Sequence, residues 1–248
     1  MRTGLKTVVL AAGKGTRLNS DENDLPKVMR TAAGKPLLSY VLEALSFLDK
    51  QDITIVVGYK KEAITEAFDG YYFAEQKEQL GTGHAVMAAA AGLSGFDGDV
   101  LVCYGDMPLI GRETYEKLAH EHLKCSNECT ILTGSSDIQM PFGRVIRDSN
   151  DGFLRIVEDR DCTPEEREIT ELNSGVYVFK AKPLLDALGR LKPENAQHEY
   201  YLTDVPSIIK NKGAAVGLLL RELGDEIIGV NTQEELDYVE RVLSLRAK

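Results

Sequence analysis

Residues Lys6–Ala12 read KTVVLAA, and the run ends on Gly13-Lys14-Gly15. A β-branched apolar run that stops abruptly at paired glycines reads as a buried strand feeding a tight turn. The motif recurs in looser form. ITIVVGY (53–59) and DVLVCYGD (99–106) are further apolar runs, and LLSYVLEALSFL, EAITEAF and HAVMAAAAGL between them carry helical spacing. Strands alternating with helices, each strand apolar along its whole length, predict a Rossmann-like α/β fold, a mostly parallel sheet with helices on both faces. ETYEKLAHEHL and CTILTGS add a helix and a strand.

The rhythm changes near Pro141. GRVIRDSNDGFLRIVED predicts a hairpin turning at Asn150, Asp151 and Gly152, and NSGVYVFK returns as a strand. This stretch reads as a β-rich substrate lobe added to the sheet. TQEELDYVERVLSLR closes the chain as an amphipathic helix. The expected organisation is a single domain over 1–248, with a first part over about 1–140, the added lobe over about 141–230 and a C-terminal helix over 232–246.

Gly13 and Gly15 let backbone N–H groups approach a ligand, and the positive end of a following helix suits phosphate. A tight connection with no ligand is equally consistent with these glycines. Leu18 stands where a dinucleotide fingerprint carries its third glycine, and no Walker A spacing occurs. Arg17 and Lys27 are placed to converge on a triphosphate, which allows an anion site in a chain of net charge −10. The acidic balance excludes a broad nucleic-acid surface, and no apolar run approaches the roughly 18 residues of a membrane span. The amino terminus lacks a cleavage pattern, so a cytoplasmic protein is expected. The four cysteines read as free thiols. His120, His122, Cys125 and Cys129 lie close together but without the spacing of common zinc modules, and the histidines are expected on a solvated helix face.

LAAGKGTRL followed by LPK resembles the nucleotide-activating loop of the sugar-phosphate nucleotidyltransferases. EQLGTGHAV (78–86), YGDMPLI (104–110), FGRVIRD (142–148), IVEDRD (156–161), ELNSGVYVF (171–179), NAQHEYYLTDV (195–205) and IGVNTQEEL (228–236) narrow the resemblance to N-acetylglucosamine-1-phosphate uridylyltransferases. The match runs in order along nearly the whole chain. It implies the nucleotide-diphospho-sugar transferase fold, with a nucleotide-binding part over about 1–140 and a sugar-binding lobe over about 141–230, and transfer of a uridylyl group from UTP to N-acetylglucosamine 1-phosphate, releasing pyrophosphate. Another sugar 1-phosphate, such as glucose 1-phosphate, or a non-catalytic module on the same fold, are the alternatives. UTP and a sugar 1-phosphate are the expected partners, with neither nucleic acid nor membrane.

The resemblance also assigns residues. Arg17 and Lys27 are implied as the catalytic cations. Leu10, Ala11, Ala12, Gly13, Gly15, Thr16, Gln76, Gly81, Thr82 and Gly105 would hold the nucleotide. Gly143, Glu158, Asn173 and Thr203 would hold the sugar, and Asp106 with Asn231 would hold Mg²⁺. On residue chemistry alone, Gln76 and Gln79 could pair with a pyrimidine edge through donor and acceptor together. Asp106 follows a buried strand at the end where α/β sheets bind ligands, and its carboxylate suits Mg²⁺, although a turn cap is an equal reading. Glu158 and Asn173 are suited to sugar hydroxyls or to an ordinary surface. Three features depart from the family: the acidic run Asn19–Leu25, His198 where glycine is usual, and Phe142 in place of tyrosine. They bear on substrate preference before reaction type. No hexapeptide repeats occur, so no acetyltransferase domain is expected in the chain.

Overall fold

The computed structural model describes residues 4–15, 18, 25–135 and 141–246. Thr16, Arg17 and most of the acidic run, 19–24, lie outside them. In chain order the elements are β1 (Leu5–Leu10), β2 (Thr31–Ala32), β3 (Lys35–Pro36), α1 (Leu37–Ala44), β4 (Ile53–Val57), α2 (Lys61–Ala67), β5 (Tyr72–Glu75), α3 (Thr82–Leu93), β6 (Asp99–Tyr104) and α4 (Arg112–Cys125). They continue with β7 (Cys129–Ser135), β8 (Arg144–Arg147), β9 (Phe153–Val157), α5 (Pro164–Arg167), β10 (Glu171–Lys180), α6 (Ala181–Leu188), α7 (Asp204–Asn211), β11 (Val216–Arg221) and α8 (Gln233–Arg246).

The main sheet has the order β11-β7-β10-β6-β1-β4-β5. β1 lies centrally, parallel to β4 and β6, with Thr7 opposite both Ile53 and Leu101. β10 enters antiparallel between β6 and β7. The expected hairpin is β8–β9, joined to the sheet through Leu172 of β10 opposite Arg144. Its turn closes on Asp148, whose carboxylate accepts the N–H groups of Asn150 and Gly152 at 3.0 Å each.

The alternation of β1 sorts its side chains between two layers, because successive Cβ atoms point to opposite faces. Val8 and Leu10 pack with α3, α6 and α7 through Val86, Leu184 and Val205. Val9 packs on the other face with α1 and α4 through Val41 and Leu118. Both valines are completely buried, so each contributes roughly 1.5–3 kcal/mol of burial. The α1 pattern extends to Leu48 in sequence, but the helix ends at Ala44 and Leu45 closes it by donating to Val41 O at 3.0 Å. α8 covers a third apolar cluster built from Leu37, Leu109 and Val230.

The parallel strands β1, β4 and β6 all end at one edge, which brings Gly13, Gly58 and Asp106 to the same rim. Ala11 N–H donates to Val56 O, Tyr59 N–H to Ala12 O and Gly105 N–H to Leu10 O, so the three strand exits are stitched together by backbone bonds.

Candidate active site

The glycine loop and Lys27 are built as a unit. Gly15 has φ +72°, and a Cβ on it would lie 2.9 Å from Lys27 Cβ. Only glycine adopts this conformation without strain and lets the lysine stem close against the loop. Gly13 is different: among the described residues a Cβ there would meet no atom within 4 Å, so those residues place no packing demand for glycine at this position.

Lys27 Nζ donates to Asp106 Oδ2 and, at 2.7 Å, to Asn231 Oδ1. The side chains of Lys27 and Asp106 are only 14% and 16% exposed. Two local devices hold this trio. Val230 N–H donates to Asp106 O at 3.0 Å, which ties the Asp106 turn to the segment before α8. Glu235 Oε2 then accepts from Asn231 N (2.6 Å) and Thr232 N (2.8 Å), while Glu235 N donates back to Thr232 Oγ1. This is a capping box, and its Thr-x-x-Glu signature is visible in NTQEE. The helix cap thus orients Asn231.

On the other side, Gln76 is buried at the exit of β5, and its Nε2 donates to Gly81 O at 3.1 Å and lies 3.2 Å from His84 Nδ1. The amide nitrogen of Gln76 is thereby directed at protein atoms. Gly81 has φ +108°, and a Cβ would lie 2.7 Å from Tyr200 O. Thr82 Oγ1 accepts from Leu202 N–H at 3.1 Å, so this turn is locked to the segment 199–202. Burial pushes the Tyr104 hydroxyl up, against the effect of its hydrogen bond with Thr82.

The sugar-side residues are more buried than surface groups. Asn173 Nδ2 donates to Tyr177 Oη at 2.7 Å, and its Oδ1 accepts from Gly175 N–H at 3.2 Å. This spans a bulge in β10, where Gly175 has φ +80° and a Cβ would run into the Tyr104 ring. Asn173 N–H donates to Gly143 O at 2.8 Å. Thr203 Oγ1 donates to Glu158 Oε1 at 2.8 Å. Burial raises the Glu158 carboxyl above its ordinary value; Thr203 opposes this, and Asp161, Asp204 and Asp159 add to it.

Two cavities result. One of about 260 Å³ is lined by Leu10, Ala11, Ala12, Gly13, Gln76, Gly81 and Thr82. A second of about 220 Å³ is lined by Gly143, Glu158, Asn173 and Asn231. Lys27, Tyr104 and Asp106 line both. The structure so brings most of the expected residues to one connected site. Gly15 braces Lys27, Gly105 packs its backbone on Leu10, and Thr203 stands behind Glu158, so these three shape the site without lining it. The sequence reading missed Tyr104 and Glu199, which line the cavities, while Phe142, singled out there as a departure from the family, lines the second. Tyr104 was discoverable, since it directly precedes Gly105-Asp106 at the strand exit.

The His–Cys group resolves otherwise. His122 is 1% exposed, contrary to its expected solvated position, with Nδ1 2.9 Å from Thr130 Oγ1 and Nε2 3.3 Å from Asp99. The helix α4 turns this histidine onto the sheet while His120 and Cys125 face solvent and Cys129 is buried in β7.

A parallel α/β sheet whose strand exits form a glycine loop, a lysine–carboxylate pair and two cavities that meet there defines a nucleotidyltransferase domain. The chain belongs to the MobA-like NTP transferase domain family, which its residues 7–200 match. Among curated proteins it is 43% identical over 243 residues to the bifunctional protein GlmU of Pelotomaculum thermopropionicum, covering 98% of this chain and 52% of that protein. It is 44% identical over 241 residues to the bifunctional protein GlmU of Clostridium novyi, covering 96% and 52%. The chain spans about half the length of these relatives. A solved structure described as a glucose-1-phosphate thymidylyltransferase from Bacillus anthracis, in complex with sucrose, shares the fold. Its TM-score is 0.73 at 18% identity, over 96% of this chain and 94% of that one.

Proposed function

We propose that this chain transfers the uridylyl group of UTP to N-acetylglucosamine 1-phosphate, giving UDP-N-acetylglucosamine and pyrophosphate. The observation that carries the reading is the shared wall of Lys27, Tyr104 and Asp106 between two cavities. A reaction that joins two phosphorylated substrates needs their phosphates to meet at one cationic point while the base and the sugar are held apart, and this arrangement supplies that. The choice of UTP and of an N-acetylated sugar rests on the motif resemblance and on the GlmU relatives.

In the proposed reaction an oxygen of the sugar phosphate forms a bond to the α-phosphorus of UTP. The bond from that phosphorus to the bridging oxygen breaks, and pyrophosphate leaves with the electron pair. The nucleophile is already anionic, so no general base is needed. The protein's work is then positioning and neutralisation of charge. Lys27 offers its ammonium at the junction, and Gly13 leaves space for a phosphate against the loop backbone. Arg17 is proposed as a second cation on the same loop.

A divalent metal fits the donors present. Asp106 and Asn231 converge one carboxylate and one amide oxygen on a single cation, the Lys27 ammonium. Two hard oxygens suit Mg²⁺, which fills its remaining positions from water and phosphate. Bound by Asp106 and Asn231, Mg²⁺ would supply neutralisation of the phosphate oxygens and polarisation at phosphorus. None of the described helices is long and apolar enough to cross a membrane. A cytoplasmic enzyme acting in cell-envelope sugar-nucleotide synthesis is the setting this proposal implies.

The test is pyrophosphate release by purified protein with Mg²⁺, each of the four nucleoside triphosphates and a panel of sugar 1-phosphates. The expected result is turnover with UTP and N-acetylglucosamine 1-phosphate above the other pairs. Faster turnover with glucose 1-phosphate would reassign the sugar, and no release with any pair would leave a non-catalytic module.

A further inference from the structure

Gln76 is held at three points. Its backbone N–H donates to Val57 O at 2.8 Å, fixing the residue at the exit of β4 and β5. Its Nε2 reaches Gly81 O at 3.1 Å and His84 Nδ1 at 3.2 Å. A backbone carbonyl can only accept, so Gly81 O identifies the amide nitrogen, and not the oxygen, as the atom at this position. The amide nitrogen can only donate, so His84 Nδ1 must accept and its proton must sit on Nε2. The His84 ring in turn lies 6.2 Å from the Tyr200 ring at 32°. Tyr200 N–H donates to Leu80 O at 2.8 Å, which anchors the segment against which the ring rests.

We propose that His84 is a specificity-determining positioning residue. By accepting the second amide hydrogen of Gln76, it leaves only the acceptor Oε1 for the base. This deepens the functional reading above and rests on it. A site that presents a fixed acceptor selects a base with an N–H facing it, as uracil has at N3. It rejects cytosine, whose N3 is a bare acceptor and would leave two lone pairs opposed in a buried setting. Gly81 O alone secures one hydrogen. Without His84 the second hydrogen has no acceptor on that side, and the amide gains by turning it toward the cavity. The discrimination then weakens while the fold need not.

The experiment compares wild type, His84→Phe and His84→Asn for kcat/KM and equilibrium binding with UTP and with CTP. Phenylalanine keeps a ring beside Tyr200 and removes the acceptor; asparagine restores an oxygen close to where Nδ1 stood. His84→Phe is expected to lower the UTP-to-CTP ratio by on the order of tenfold, the worth of one net hydrogen bond, and His84→Asn to recover most of it. A merely structural residue would weaken both nucleotides in parallel, so an unchanged ratio in His84→Phe overturns the inference. The wild-type protein provides a second reading that needs no variant. Its ¹⁵N NMR shifts should show His84 Nδ1 as the bare ring nitrogen, and a protonated Nδ1 in the nucleotide-free protein also overturns the inference. Wild type that binds neither nucleotide overturns the functional reading and this inference together. Wild type that prefers UTP by a margin His84→Phe preserves overturns this inference alone.

Discussion

Replacing Lys27 with methionine keeps the stem that packs against Gly15 and removes the charge that joins Asp106 to Asn231. The size of the effect follows from how far the pair is withdrawn from water. Solvent-exposed ion pairs contribute about 0–1 kcal/mol, and breaking a buried pair costs about 3–5 kcal/mol because one charge is left uncompensated. With side chains 14% and 16% exposed, the Lys27–Asp106 pair lies between these limits. A loss of about 2 kcal/mol is expected for Lys27→Met, which for a chain of this size lowers Tm by about 4–8 °C. The double variant Lys27→Met/Asp106→Asn has no stranded carboxylate and should regain most of that loss. Adding Mg²⁺ should raise the Tm of Lys27→Met, since the vacated donors can take the ion, and leave that of the double variant unchanged. Activity follows a different pattern. Both variants lack the cation at the phosphate junction and should lose about a hundredfold in pyrophosphate release. The measurement is a set of melting curves with and without Mg²⁺ beside a coupled pyrophosphate assay. If Lys27→Met melts with wild type, or the second substitution deepens the loss, the reasoning about a stranded Asp106 charge is wrong.

The two loop glycines should separate cleanly. Gly15→Ala strains a left-handed residue and displaces Lys27, so it should destabilise by about 1–2 kcal/mol, whereas Gly13→Ala meets no atom of the described residues and should leave Tm nearly unchanged while raising the nucleotide KM. Unaltered KM in Gly13→Ala would remove the loop from the nucleotide site. Glu158 supplies a pH signature. Its folded-state carboxyl is raised above the ordinary 4.5, so the folded state holds its proton more tightly, and stability declines as pH rises from about 4.5 through the folded value. Glu158→Gln, which can still accept from Thr203, should flatten that decline in a Tm-against-pH profile, raise Tm at neutral pH and weaken sugar 1-phosphate binding. Thiol labelling gives a test of the core: burial pushes the Cys103 thiol up to about 12 and raises Cys129 further from reactivity, so Cys125, which is exposed, should react first in the native protein. Labelling of Cys103 before Cys125, read by peptide mass, would contradict this packing.

The parallel half of the sheet was legible because β1, β4 and β6 are apolar on both faces and end in glycine or aspartate, a pattern that only a doubly covered strand requires. The β8–β9 hairpin was legible from Asn150-Asp151-Gly152. Other elements escaped for physical reasons. β5 and β11 lie at the two sheet edges, where Tyr72 and Leu220 are exposed and alternation is weak. Helix α6 carries Pro183, which reads as a breaker but sits harmlessly in the first turn, where no N–H is needed. At the site, the resemblance paired Asp106 with Asn231, and the structure places both against Lys27. The sequence could not show that Lys27 bridges them, nor that the Gln76 amide nitrogen is turned onto Gly81 and His84, because those contacts join residues far apart in the chain or depend on the turn that Gly81 makes.

The antiparallel insertion of β10 between β6 and β7 sets an order on biosynthesis. β1 waits for β4, after which strands β4, β5 and β6 can each pair as soon as they leave the ribosome, since each finds β1 or β4 among segments already made. β7 cannot: both of its partners, β10 and β11, are translated after it. Its sequence CTILTGS is apolar, β-prone and uncharged, the composition that favours strand addition by another chain. A nascent chain that stalls before Glu171 therefore displays β7 with both of its edges unpaired, and elongation at about 5–20 residues per second sets how long that exposure lasts. Slow translation across the hairpin segment lengthens the interval in which a chaperone, or a second nascent chain, reaches β7 first.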